Sequence, residues 1–164
     1  MTNRIVVLAF GNPIASDDGL GPYALKELRK HKLPKNIKIY DADLLRIDLP
    51  SILKKAKKVL VIDALKTGAP KSSLLRLNLN ELGTSLSFRM PLSVHSLSSI
   101  DLLLLCKTIM GRRFPKEVII FGVEVESLEG FQADLSEAVR RVVPELVKMV
   151  LDELSKEKCF NNGP

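Results

Sequence analysis

The chain has 164 residues, 46% of them hydrophobic, with 25 Lys and Arg against 19 Asp and Glu for a net charge of +6. That is enough apolar side chain for one complete core and short for two, so a single domain is expected over 1–158, with a frayed tail at 159–164. The basic residues gather in helix-like stretches such as Lys54-Lys55-Ala56-Lys57-Lys58 without interleaved aromatics, which reads as a solvated face and argues against a nucleic-acid partner.

The chain opens on the apolar run Ile5 to Phe10. It is too short to span a membrane and no small-residue cleavage site follows it, so neither membrane insertion nor a signal peptide is expected. The loop that leaves it, Phe10-Gly11-Asn12-Pro13-Ile14-Ala15-Ser16-Asp17-Asp18-Gly19-Leu20-Gly21-Pro22, sets adjacent carboxylates among glycines. Such a turn is costly to assemble and points to a site for something positively charged. A helix is predicted from Pro22, at the first helical position, to about Lys32, with Ala24, Leu25 and Leu28 inward. A second strand, Ile37 to Tyr40, leads to Asp41 and Asp43, and a helix over about Leu49 to Ala56 returns the chain to a third strand, Val59 to Ile62, directly followed by Asp63.

Leu75, Leu77 and Leu79 then alternate with polar residues, the pattern of a half-exposed strand. The connection through Thr67-Gly68-Ala69-Pro70 has no room for a helix, which makes this strand antiparallel and places it at an edge. A polar loop is predicted over about Glu81 to Val94, then a helix from about Ser96 to Met110, a strand at Val118 to Val123, and a long amphipathic helix from about Ser136 to Lys156, kinked at Pro144. Continuous apolar strands alternating with helices define an α/β fold: a mostly parallel sheet of about five strands, with helices on both faces. Cys106 sits in an apolar run and Cys159 in a polar tail, with no CxxC and no disulfide framework, which fits a reducing cytoplasm.

In an open parallel sheet the carboxyl ends of the strands face one crevice, where ligands bind. Asp17 and Asp18, Asp41 and Asp43, and Asp63 all fall at that end, and His95 joins them if the helix starting near Ser96 packs beside the third strand. At a helix N-terminus the dipole favours neutral imidazole and leaves a ring nitrogen free for a metal. Two carboxylates and an imidazole suit nickel, zinc or iron with coordination positions left open. The same residues have structural alternatives: Asp18 as a helix cap, Asp63 as a turn residue, and His95 as a hydrogen-bonded structural histidine. A rival reading takes Gly19-Leu20-Gly21-Pro22-Tyr23-Ala24 as a dinucleotide-binding G-x-G-x-x-A, with Asp41 as the ribose ligand. Against it, the glycines do not follow the first strand at once, and two aspartates would face a pyrophosphate with like charge.

Gly11-Asn12, Asp17-Asp18-Gly19 and Gly21 together resemble the N-terminal motif of the hydrogenase maturation endopeptidases, which trim the C-terminal extension of nickel–iron hydrogenase large subunits. The likeness continues through Val61-Ile62-Asp63-Ala64, Pro91 and His95, Gly122-Val123, and Glu126-Ser127-Leu128-Glu129. The resemblance implies a three-layer sandwich with an antiparallel edge strand and a nickel-binding trio at Asp18, Asp63 and His95, the three that the crevice argument also selects. It further implies Asp18 as the candidate catalytic residue and Gly11, Asn12, Asp17 and Asp41 as substrate-binding. Nickel would arrive in the substrate precursor, and the protein itself would hold no other cofactor and act as a cytoplasmic monomer. One departure stands out: the family commonly has Asp-Gly-Gly after the second strand, where this chain reads Asp41-Ala42-Asp43. A non-proteolytic nickel-site checkpoint or maturation chaperone is the alternative function.

Overall fold

A computed structural model describes residues 4–46, 48–82, 98–128 and 130–159. Five strands, β1 (Ile5–Ala9), β2 (Ile37–Asp41), β3 (Lys58–Leu65), β4 (Leu74–Asn78) and β5 (Glu117–Glu124), form one sheet in the order β2-β1-β3-β5-β4. The first three and β5 run parallel, and β4 lies antiparallel to β5 at the edge. The predicted antiparallel edge strand is thus present, and the short β3–β4 connection is its cause. Among the described residues four helices cover the sheet: α1 (Leu20–Leu28), α2 (Leu49–Leu53), α3 (Ser99–Met110) and α4 (Glu137–Cys159).

Alternate residues of each central strand supply two separate cores. Val7, Leu60, Ile62, Ile119 and Phe121 pack with α1 and α4 on one face, while Leu8, Val59, Val61 and Ile120 pack with α2 and α3 on the other. Both faces being covered explains why these strands read as unbroken apolar runs. A fully buried Leu or Ile of this kind stabilises the fold by about 1.5–3 kcal/mol. Val139, Val143, Leu146, Val147, Val150 and Leu154 of α4 all face inward, as their spacing requires. Pro144 lies within that helix but on its exposed side, where solvent can satisfy the carbonyl left without an N–H partner.

The first two helices end earlier than predicted, at Leu28 and Leu53, and three other boundaries move beside the crevice. The first helix begins at Leu20, not Pro22, because a 3-10 turn over Ser16–Gly19 feeds directly into it. Strand β3 continues through Leu65, so Asp63 lies inside the strand rather than after it. Helix α3 starts at Ser99, not Ser96, since the Ser98 hydroxyl caps it by accepting the Asp101 amide at 3.1 Å. His95 and most of the predicted 81–94 loop lie outside the described residues.

At the amino end of the sheet, the buried Lys58 ammonium donates to Glu153 at 2.7 Å and pairs with Glu117 at 3.1 Å and Glu157 at 3.3 Å. This cluster ties β3 and β5 to α4 and stands at the opposite end from the crevice described next.

Candidate active site

The chain leaves β1 to one side to form β2, then returns across β1 to place β3 on its other side. The carboxyl ends of β1 and β3 therefore flank the point where strand order reverses, and a crevice of about 940 Å³ opens there. Asp18, Asp41, Asp43 and Asp63 all line it, as do Gly11 and Asn12. A protein of net positive charge thus has an acidic crevice.

Asp63 enters through the period-2 geometry of β3. It continues the face of Val59 and Val61, which carries it toward α3, where the Ser99 hydroxyl donates to its Oδ2. The facing residue on β5 is Gly122, where an added Cβ would lie 2.9 Å from the Asp63 carbonyl oxygen and press on the Leu65 side chain, so glycine suits the place beside this part of β3. Burial lifts the Asp63 pKa to about 7; the Ser99 bond opposes this, and the nearby charges of Asp18 and Asp43 reinforce it.

Asp18 stands in the turn before α1. Its Oδ2 accepts the Asn12 amide at 2.9 Å, and the helix cap is Gly19 with no side-chain bond, so Asp18 does not serve as the cap. Desolvation raises its proton affinity, the Asn12 bond lowers it, Asp43 raises it and Arg46 lowers it, with a net rise. The loop carrying it is set by close backbone contact. Gly11 has φ +132°, and a Cβ there would fall 1.9 Å from the Asp18 carbonyl oxygen. A Cβ on Gly21 would fall 1.9 Å from the Phe10 carbonyl oxygen, so that glycine lets α1 cross the end of β1. The glycines of the dinucleotide-like fingerprint thus have a packing role.

Asp43 stands where Asp-Gly-Gly would have its second glycine. Its Oδ2 accepts the Gly11 amide and its Oδ1 accepts from Arg46 Nε at 2.5 Å, while the Arg46 guanidinium lies 5.8 Å over the Phe10 ring. Two consecutive amides, Gly11 and Asn12, are therefore each held by a carboxylate. Asp41 also lines the crevice, and its Oδ1 is buried with no hydrogen-bond partner among the described residues.

Asp17 corrects an expectation. It is buried on the other side of the turn, where Ser136 gives it both its backbone amide at 2.7 Å and its hydroxyl at 2.9 Å. Adjacent residues on a 3-10 turn point in different directions, so Asp17 anchors the start of α4 and only Asp18 faces the crevice. Among the described residues no group of three His, Cys, Asp or Glu side chains is arranged to hold a metal ion; His95, the third member of the expected trio, lies outside them. Sequence reasoning missed Ser99, Arg46 and the rim residues Lys66 and Thr67. The motif Ser98-Ser99-Ile100-Asp101 is a capping signature that would have placed the start of α3, and with it Ser99, beside Asp63.

Fold and crevice define an α/β protein with an acidic site at a topological switch point. The sequence profile of the hydrogenase maturation protease family HycI matches residues 22–153, and the chain belongs to that family of endopeptidases. Among curated relatives, a hydrogenase expression/formation protein HupD of Thiocapsa roseopersicina is 26% identical over 154 residues, covering 93% of this chain and 68% of that one. The coenzyme F420 hydrogenase subunit delta of Methanothermobacter thermautotrophicus is 28% identical over 170 residues, covering 94% and 97%. Among solved structures, the hydrogenase maturating endopeptidase HybD from E. coli superposes with a TM-score of 0.76 at 23% identity, over 94% and 93% of the two chains. The maturation protease HybD from Thermococcus kodakarensis gives 0.67 at 22% identity, over 92% and 99%. At those identities the solved structures show a shared fold. No helix among the described residues is long and apolar enough to cross a membrane.

Proposed function

We propose that this protein removes the C-terminal extension of a nickel–iron hydrogenase large-subunit precursor after nickel insertion, recognising the nickel that the precursor carries through Asp18, Asp63 and His95. The observation that supports this most is the meeting of Asp18 and Asp63 in one crevice, where burial and neighbouring carboxylates, Asp43 for Asp18 and both Asp18 and Asp43 for Asp63, raise the proton affinity of each. A site that disfavours uncompensated negative charge is one that a cation can satisfy. The donor chemistry of two carboxylates and an imidazole suits nickel, and three ligands leave room for the precursor's own. Nickel is thus part of the substrate, and the protein needs no resident metal.

Peptide hydrolysis requires water oxygen to add to the scissile carbonyl carbon, the C–N bond to break, and the proton of the water to end on the leaving amine. Asp18, half-buried and facing the crevice, is the candidate to take and return that proton, since a carboxylate of raised proton affinity suits general acid–base work. Gly11, Asn12 and Asp41 line the path of the substrate chain. In this account the enzyme works as a cytoplasmic monomer. Single Asp18→Ala, Asp63→Ala and His95→Ala variants, assayed on nickel-loaded precursor, are expected to lose cleavage by roughly a hundredfold or more. Retained cleavage in all three would refute the assignment of the trio.

A further inference from the structure

Five large apolar side chains stand exposed among the described residues, and four of them, Ile14, Leu44, Leu128 and Phe131, gather at the carboxyl end of the sheet. Leu44 and Leu128 line the acidic crevice itself. Ile14 follows Pro13 of the crevice wall, and its neighbours Ala15 and Ser16 are knitted to the strand-like segment at Gln132: Ala15 bridges Gln132, and the Ser16 amide donates to the Gln132 carbonyl at 2.8 Å. Phe131 is therefore carried beside Ile14 on a hydrogen-bonded pair of segments. Its exposure is 94%, that of Leu44 is 82%, and that of Ile14 is 57%. The fifth, Ile109, lies near the far end of α3, toward the opposite edge of the molecule.

Exposed apolar groups scattered singly need no explanation, but a group of them around a charged cleft is the composition of a recognition site, with apolar anchors beside a polar centre. We propose that Ile14, Leu44, Leu128 and Phe131 form an apolar rim that docks the precursor around its metal-bearing site. Leu44 and Leu128 belong to both the rim and the crevice, so what sits on them also faces the aspartates. Charge complementarity fixes the kind of partner: five aspartates line the crevice against Arg46 and Lys66, so the docked face carries a cationic centre flanked by apolar side chains. The inference rests on the function proposed above and adds how a folded precursor, rather than a free peptide end, is held.

The test measures both binding and turnover of nickel-loaded precursor by the wild-type protein and by Phe131→Ser, Leu44→Ser and the control Ile109→Ser. Removing one buried aromatic or leucine anchor is expected to raise both Kd and KM about tenfold, with kcat within about twofold. The Phe131→Ser/Leu44→Ser double variant is expected to weaken binding further, and Ile109→Ser to change neither. A wild-type protein that cleaves while the rim variants keep wild-type Kd and KM would overturn the docking rim and leave the proposed function standing. A wild-type protein that binds the precursor through the rim without cleaving it would do the reverse. Wild-type dimers that Phe131→Ser converts to monomers would assign the rim to a second copy and overturn the proposal.

Discussion

Replacing Asp63 with Asn should make the protein more stable at pH 8 and inactive at every pH. Burial holds the Asp63 pKa at about 7, against 3.8 for an exposed aspartate. The folded state thus binds this proton more tightly than the unfolded chain does, and the Asp63 contribution to stability declines as pH rises from about 4 to about 7. About three units at ~1.4 kcal/mol each make the ionised carboxylate cost up to ~4 kcal/mol above pH 7. Asn is isosteric, stays neutral and keeps an oxygen for the Ser99 hydroxyl, so the variant avoids that cost. For a chain of this length 1 kcal/mol corresponds to roughly 3 °C, so the Asn variant should melt roughly 10 °C higher at pH 8 in chelator-treated buffer. The gain should fall below ~2 kcal/mol at pH 5, where folded Asp63 already carries its proton. Thermal unfolding followed by circular dichroism at the two pH values reads this directly. No gain at pH 8, or an equal gain at both, would refute the reasoning that Asp63 is held in the crevice at an energetic cost and kept for function.

Asp17→Ala should lower stability by about 2–3 kcal/mol, because it leaves the Ser136 amide without its buried acceptor, yet keep precursor cleavage at 25 °C within about twofold; loss of cleavage in a folded variant would return Asp17 to the site. Gly21→Ala should fail to accumulate as folded protein, or lose more than ~3 kcal/mol, since its Cβ would fall 1.9 Å from the Phe10 carbonyl oxygen. Urea titration of the purified variant measures this. Lys58→Met should lose about 1.5–3 kcal/mol by removing the ammonium that Glu153, Glu117 and Glu157 share, while Arg76 and Lys156 still pair with Glu153, and kcat/KM should be unchanged at a temperature where the variant is folded. An equal effect on turnover would mean that the two ends of the sheet are coupled.

The sheet was legible because its physics is local. Continuous apolar runs such as Val59 to Ile62, recurring between helix-like segments, suit strands covered on both faces, and the eight residues between Leu65 and Leu74 have no room for a crossover helix, so β4 had to reverse. The gathering of Asp18, Asp41, Asp43 and Asp63 followed from topology alone, since each stands at or near the carboxyl end of a strand. What was hidden depends on direction within a turn or on partners far away in sequence. Nothing in Asp17-Asp18 says which side chain turns inward; the answer is Ser136, 119 residues away. Likewise the role of Asp43 depends on the Gly11 amide, 32 residues away, and on Arg46.

Nickel-dependent proteolysis is tested by comparing one precursor in two states. Purified protein is incubated with nickel-loaded and with nickel-free hydrogenase large-subunit precursor, and the intact mass of each is followed. The account predicts loss of the C-terminal extension from the loaded precursor alone. Cleavage of both at the same rate, or of neither, would contradict it.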